Sequence, residues 1–328
     1  MTPGERRADL LEGIVLRRSS HVAWVDTPRG VLVSTIRGKL REAEPCVAGD
    51  RVLVLPTGGQ EGAVEEVLPR GTVLRRGPLT GEAGGKVTAA NIDQVAVVIS
   101  VASPGPRWAL VDRLLVEAES EGLESLVIVN KLDLLDRESG EKEGLEDTFR
   151  VYRSAGVELF LTSTVSGEGL DGLGRKLLTR VTVFSGHSGV GKTALLNALV
   201  PGLDLRTGEV NPVTGKGRHT SSTAILVRLP GGGYLMDTPG FREFALSGIS
   251  PPQLGRYYPE FREAIASCRY RDCLHRTGPG CAVLEAVEQG EISKLRYRNY
   301  LQILETLPLT ETRKRRQRRA RKESPEPS

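Results

Sequence analysis

Cysteine is scarce in this chain: four in 328 residues, three of them crowded between Cys268 and Cys281. A disulfide-stapled scaffold is therefore excluded. Long apolar runs are also missing. "VAVVISVA" (95–102) is among the longest, far short of the roughly 20 residues that cross a bilayer. The opening "MTPGERRADLLEGIV" holds no apolar stretch of signal-peptide length. The reducing cytoplasm is the expected compartment, with free thiols. Excess positive charge is absent from most of the chain: residues 311–328 carry eight Lys/Arg against three Glu, a net of +5, while the whole chain is only +4. The 310 residues before that tail thus sum to −1. "RKRRQRRARK" reads either as a solubilising run or as an arm that neutralises nucleic-acid phosphates.

What is present is ordinary for globular protein, at 39% hydrophobic and 26% charged residues, and the length predicts about two or three domains. Residues 10 to about 75 offer five short strand patterns, "EGIVLR", "HVAWVD", "GVLVSTI", "DRVLVL" and "GAVEEVL", separated by Gly, Pro and Asp turns. They predict a small β-barrel, and an OB-type barrel fits the count. His21 and Trp24 offer stacking surfaces for bases, although a lone strand Trp also serves as core. Cys46 reads as a buried thiol.

From about residue 91 apolar strand patterns alternate with helical ones, which predicts a mostly parallel sheet covered on both faces. Within this stretch "GHSGVGKT" (186–193) matches the phosphate-binding pattern G-x-x-x-x-G-K-[ST] between a strand and a helix. Gly186, His187, Ser188, Gly189, Val190, Gly191, Lys192 and Thr193 form the candidate phosphate loop. Gly186 and Gly191 permit the backbone turn, Lys192 faces the β/γ-phosphates and the Thr193 hydroxyl suits Mg²⁺. The His187 side chain receives no role of its own. "NKLD", residues Asn130, Lys131, Leu132 and Asp133, follows a strand. Its carboxylate can accept from guanine's ring N–H and amine, whereas adenine would leave it unpaired. In "TSTVSGEGL" Ser163 and Thr164 stand where a third base-contacting loop is needed, with Thr164 at a position where many guanine-nucleotide proteins have Ala. "DTPG" (237–240) supplies Asp237 for Mg²⁺ and the Gly240 N–H for the γ-phosphate. "GRHTSS" (217–222) supplies Thr220 for Mg²⁺, with Ser221 and Ser222 beside it.

Cys268, Cys273, His275 and Cys281 give the spacing C-x₄-C-x-H-x₅-C in a loop-rich stretch. Three thiolates and one imidazole make a closed tetrahedral zinc site with no open position, hence a structural one. Arg269, Arg271 and Arg276 around it suit either RNA phosphates or solubility.

The order base tetrad, "TST", phosphate loop, "GRHT", "DTPG" reverses that of an ordinary guanine-nucleotide switch protein. In this order the chain resembles the circularly permuted GTPases. The flanking barrel, "AANIDQV" (89–95), "GRHT" and the Cys/His spacing narrow the resemblance to the ribosome small subunit-dependent GTPase A family, over about residues 10–305. The resemblance implies a GTP hydrolase that binds the small ribosomal subunit and its rRNA, assists late maturation and leaves after hydrolysis. It further implies one zinc, Mg²⁺ with GTP, and a cytoplasmic monomer. The expected division is a tail (1–9), an OB-type barrel (10–75), a permuted GTPase domain (76–250), a zinc module (251–305) and a basic tail (306–328). Where many GTPases place a water-orienting Gln after "DxxG", this chain has Phe241, so slow basal turnover is expected. His219 is the candidate catalytic group, with ordering of its loop or contact with RNA as its other readings. Two other functions fit less of the sequence: a zinc-containing RNA-binding regulator using guanine nucleotide as a ligand switch, and an ATP-using phosphotransferase, which "NKLD" disfavours.

Overall fold

The structure, a computed structural model, describes residues 9–37, 45–76, 86–135, 141–203, 224–237 and 249–307. The first five strands are β1 (Leu11–Ser19), β2 (Val22–Thr27), β3 (Gly30–Ile36), β4 (Arg51–Gly58) and β5 (Glu61–Val67). They close into a barrel in the order β1-β2-β3-β5-β4, with β3 and β5 parallel and β1 closing antiparallel on β4. That five-stranded closed order is the OB type. Alternation sends Val15, Ala23, Val25, Leu32, Val52, Val54 and Val64 inward. Cys46 lies in the same core, and burial pushes its thiol up to about 12.

A hairpin that the strand patterns do not announce, β6 (Val73–Arg76) and β7 (Lys86–Ala90), follows the barrel. Here "AANIDQV" acts as a joint. Asn91, at φ +53, donates through Nδ2 to the Gly49 carbonyl at 2.9 Å and accepts from the Gly71 amide at 2.8 Å. A Cβ at Gly49 would stand 2.0 Å from the Ala90 carbonyl oxygen, so only glycine allows this approach. Asp93 accepts from the Val181 amide at 2.7 Å, and Gln94 donates to Thr182 at 2.8 Å, which carries the joint into the next sheet.

That sheet has six strands: β8 (Gln94–Ser100), β9 (Glu124–Asn130), β10 (Glu158–Leu161), β11 (Val181–Ser185), β12 (Ile225–Arg228) and β13 (Tyr234–Asp237). Their order is β10-β9-β8-β11-β13-β12, parallel except for edge strand β12. Strand alternation divides the core in two. Val95, Val97, Ile99, Val127 and Val129 pack beneath α1 (Trp108–Ser120) and α2 (Glu141–Ser154). Ala96, Val98, Leu126, Ile128 and Phe184 pack beneath α3 (Leu170–Leu177) and α4 (Lys192–Leu199).

The C-terminal part comprises two short 3₁₀ turns (Pro251–Tyr257 and Pro259–Phe261), α5 (Arg262–Ala266), α6 (Ala282–Gln289) and α7 (Lys294–Thr306). It docks on α1 through a buried polar network. Arg296 of α7 pairs with Asp112 of α1 and reaches Glu260 at 2.7 Å. Asn299 Nδ2 and the Tyr152 hydroxyl donate to the same Asp112 carboxylate at 2.8 and 2.7 Å. Such a buried set is tolerable only because every charge is answered. Among the described residues no helix is long and apolar enough to cross a membrane.

Candidate functional site

The carboxyl ends of the parallel strands β9, β11 and β13 lie at one edge of the sheet, where open α/β sheets bind ligands. β11 ends at Ser185, and the chain turns through residues 186–191 into α4. Gly186 has φ +146, and a Cβ there would lie 2.1 Å from the Val98 carbonyl oxygen. Gly191, the residue before α4, has φ +97, and a Cβ there would lie 2.3 Å from Asn130 Nδ2. The phosphate loop and the tetrad are thus packed to a distance that only glycine permits. Lys192 Nζ donates to the Gly186 and His187 carbonyls at 2.7 and 2.8 Å. Val190 is buried, the His187 ring is exposed, and Thr193 is half-buried at the start of α4.

Asn130, the buried last residue of β9, joins the two motifs. Its Nδ2 donates to the Val190 carbonyl at 3.1 Å, and its Oδ1 accepts from the Thr162 hydroxyl at 3.2 Å. Lys131 turns the chain at φ +64 and donates through Nζ to the Ser103 carbonyl at 2.6 Å. Leu132 packs against the core, while Asp133 is exposed in the following 3₁₀ turn and accepts from Ser163 Oγ at 2.5 Å. Ser163 Oγ in turn accepts from the Val165 and Ser166 amides at 3.2 Å, which fixes the lone pairs and proton of this hydroxyl. Thr164 is half-buried beside it. The Asp237 main chain stands one residue past the Val183–Met236 pair, at the strand end where the phosphate loop leaves β11. Gly240, Phe241, His219, Thr220, Ser221 and Ser222 lie outside the described residues, as does the tail.

The assembled residues offer an exposed carboxylate for paired N–H donors, a glycine-built turn that opens a helix, and an ammonium beside that turn. Two contributors escape a motif search. Thr162 is fully buried and orients Asn130, and the segment after β8, "ASPGP", receives Lys131. The Ser–Pro cluster following a strand was the available signal.

The second cluster is Cys268, Cys273, His275 and Cys281, whose ligand atoms lie within 4.8 Å of one another. His275 Nδ1 is 3.5 Å from Cys268 Sγ and 3.6 Å from Cys281 Sγ. A tetrahedral ion with metal–sulfur and metal–nitrogen bonds of about 2.3 and 2.05 Å sets such an edge at about 3.6 Å. The donor set and spacing therefore fit a metal. Burial holds the His275 imidazole below its ordinary pKa, in the neutral form that ligates. Tyr297 and Tyr300 of α7 anchor the ligand loop through the His275 and Leu274 carbonyls at 2.7 and 2.9 Å.

The sequence model of the RsgA GTPase family matches residues 67–247. The small ribosomal subunit biogenesis GTPase RsgA of Moorella thermoacetica is 41% identical over 295 residues, covering 90% of this chain and 96% of that protein. The chain belongs to the RsgA GTPase family. Proteins of the same name from Gemmatimonas aurantiaca and Chlorobaculum tepidum are 40% and 42% identical, over 90% and 91% of this chain and 97% and 99% of theirs. Among solved structures, YjeQ from Thermotoga maritima superposes with a TM-score of 0.74 at 34% identity, covering 90% of this chain and 97% of that one. YloQ, described as a circularly permuted GTPase, gives 0.72 at 27% identity over 92% and 97%. The reversed motif order of this chain is that expected of a circularly permuted GTPase, the description YloQ carries. A permutation that cuts the chain between strands leaves the loops at the same strand ends, so the pocket survives while the chain termini move.

Proposed function

We propose that this RsgA GTPase binds the small ribosomal subunit, assists its late maturation and leaves after GTP hydrolysis that the subunit accelerates. The observation that carries this reading is the glycine-tight junction of a guanine-reading tetrad with a phosphate loop, through Asn130, in a chain about 40% identical to proteins named for that role. Asp133 reads guanine while Asn130, Lys131, Leu132, Ser163 and Thr164 frame it. The main chain from Gly186 to Gly191, with Lys192, cradles the phosphates. Thr193, Thr220 and Asp237 hold Mg²⁺, which offsets phosphate charge when bound. Cys268, Cys273, His275 and Cys281 hold one structural zinc. The work divides among a barrel (10–75), a GTPase domain (76–250) and a zinc module (251–305), flanked by tails at 1–9 and 306–328. The protein acts in the cytoplasm as a monomer, with rRNA as its nucleic-acid partner.

His219 orients the attacking water, because Phe241 has no hydrogen-bonding group for it. Basal turnover is then slow and saturating small subunits accelerate it. His219→Ala removes about 10²-fold or more of the single-turnover rate on subunits and leaves GTP affinity and subunit binding nearly unchanged, as an interaction made only in the transition state requires. Equal rates for the variant and the wild type would move the water-orienting role to the ribosome. Absence of any stimulation by subunits would favour the regulator reading over the enzyme.

The basic tail neutralises phosphates. Deleting residues 311–328 lowers rRNA affinity and flattens the plot of log K against log salt, by about 0.7 to 0.9 for each phosphate that the shortened chain leaves unneutralised. Titrations at several salt concentrations, with and without the tail, read this directly. An unchanged slope would leave the tail as a solubilising run.

A further inference from the structure

The β12–β13 hairpin at the edge of the sheet has a closed end and an open end. At the open end Ile225 pairs with Asp237. β12 is entered there from the side of "GRHTSS", and β13 leaves there into "DTPG". In sequence, one strand pair therefore adjoins both segments read above as supplying Mg²⁺ ligands. At the closed end Arg228 pairs with Tyr234, and both side chains reach across to the barrel. The Tyr234 hydroxyl donates to Asp26 Oδ2 at 2.7 Å, and Arg228 Nη1 lies 3.3 Å from the same carboxylate. Asp26 is on β2, with its side chain 5% exposed. Its neighbour across the β1–β2 ladder, Ile14, packs with Leu16 and Tyr234 against the core that holds Leu226 and Met236.

Beyond the packing of Leu226, Leu229, Leu235 and Met236 in the two cores, the hairpin's hydrogen-bonded attachment to the sheet is short. β13 pairs with β11 over three residues, from Val181–Tyr234 to Val183–Met236, and β12 is an edge strand. Burial, then the bond to Asp26, pushes the Tyr234 phenol above its ordinary pKa, so it stays a donor. Arg228 is 60% exposed and costs little to hold, while Asp26 is a nearly buried carboxylate that accepts, among the described residues, from Tyr234 and Arg228 of the hairpin. The four-residue strand pair is the hydrogen-bonded link from this closed end to the open end.

We propose that Asp26 is a positioning residue for GTP hydrolysis, acting through Tyr234 and Arg228 to set the β12–β13 hairpin and to make the barrel's engagement with the ribosomal subunit felt at the nucleotide. The inference rests on the functional reading given above, in which the barrel grips the subunit. Asp26 is the polar part of a contact that Ile14 and Leu16 complete by packing, so replacing it tests that part while the apolar packing stays.

The test uses the full chain with Tyr234→Phe, Asp26→Ala and the conservative Asp26→Asn, whose amide oxygen still accepts from Tyr234. On saturating subunits the ratio of stimulated to basal single-turnover rate falls by about 10- to 100-fold in Tyr234→Phe and Asp26→Ala, the scale of a misplacement near 1 Å, and is partly restored in Asp26→Asn. GTP affinity and subunit affinity stay within about twofold of wild type, since Asp26 is nearly buried and neither it nor Tyr234 is among the residues placed at the nucleotide. An unchanged ratio, or a loss that tracks weakened subunit binding, would overturn the proposal. Hydrogen exchange without subunits keeps the two readings apart. A slowly hydrolysed GTP analogue should alter protection of the β2 amides in the wild type and not in Tyr234→Phe. If β2 responds and subunits fail to stimulate the wild type, the ribosomal reading fails and the clamp stands; if β2 does not respond, the clamp fails.

Discussion

Asp133→Asn is expected to weaken GTP and GDP binding by about 10³-fold or more and to bring xanthine nucleotides into the range that GTP occupies in the wild type. Guanine presents a ring N–H and an exocyclic amine to one carboxylate. An amide in its place offers an N–H toward that amine, a donor facing a donor. Xanthine carries a carbonyl where guanine has the amine, so the same amide meets an acceptor. The local frame survives the exchange, because Ser163 Oγ donates to Asp133 Oδ1 and an amide oxygen accepts that bond equally well. Asn130 stays bound to Val190 and Thr162, so the phosphate loop keeps its place. Competition binding with GTP, XTP and ATP measures the switch. ATP competing as well as GTP against the wild-type protein would remove the guanine assignment altogether.

Much of this architecture was legible because its signals are local. Alternation predicts five barrel strands, and the closed order β1-β2-β3-β5-β4 then settles which small barrel they make. The phosphate loop and tetrad are readable because their chemistry needs particular residue types at fixed spacing. Their junction is different in kind. That Gly191 must be glycine to clear Asn130, sixty-one positions earlier, depends on strand order, and nothing near either residue announces it. Arg296 and Asp112 were hidden for the same reason, since a buried pair 184 residues apart leaves no periodicity. Edge strand β12 is antiparallel where alternating strand and helix predict parallel neighbours. The cause is the short turn "PGGG" between β12 and β13, which closes a hairpin and leaves no room for a crossover helix. The "AANIDQV" motif marked the family without explaining itself, and the structure makes it the hinge between barrel and sheet through Asn91, Asp93 and Gln94.

Removing the metal is expected to have the largest effect on structure. Protein purified without chelator should carry about one zinc per chain, and Cys281→Ser or a strong chelator should release it. In small zinc-nucleated peptides the apparent binding free energy is about 10–16 kcal/mol at neutral pH, and that energy is folding energy. Here the loss should be confined. Apart from its packing on the C-terminal core, the ligand loop from Cys268 to Cys281 is tied by the Arg269 amide to the Gly280 carbonyl, the two tyrosine hydroxyls of α7 and an exposed Arg276–Glu305 pair at 3.4 Å. Below it, Tyr258, Phe261 and Tyr300 form an aromatic cluster with centroids 4.9 to 5.6 Å apart, and Arg296 still pairs with Asp112, so α7 should remain on α1. Trypsin should therefore cut the metal-free chain at Arg269, Arg271 or Arg276 while α7 stays attached and GTP affinity changes by less than about twofold. Acid should mimic the chelator. Burial pushes the Cys281 thiol up to about 12, so the cation, and not the ambient pH, makes it a ligating thiolate. As pH falls, protons compete for the three thiolates and for His275, and metal is lost. Elemental analysis and limited proteolysis across that titration give the result together. Metal-free protein as protease-resistant in the 268–281 loop as the untreated protein would show that the cluster does not organise the module.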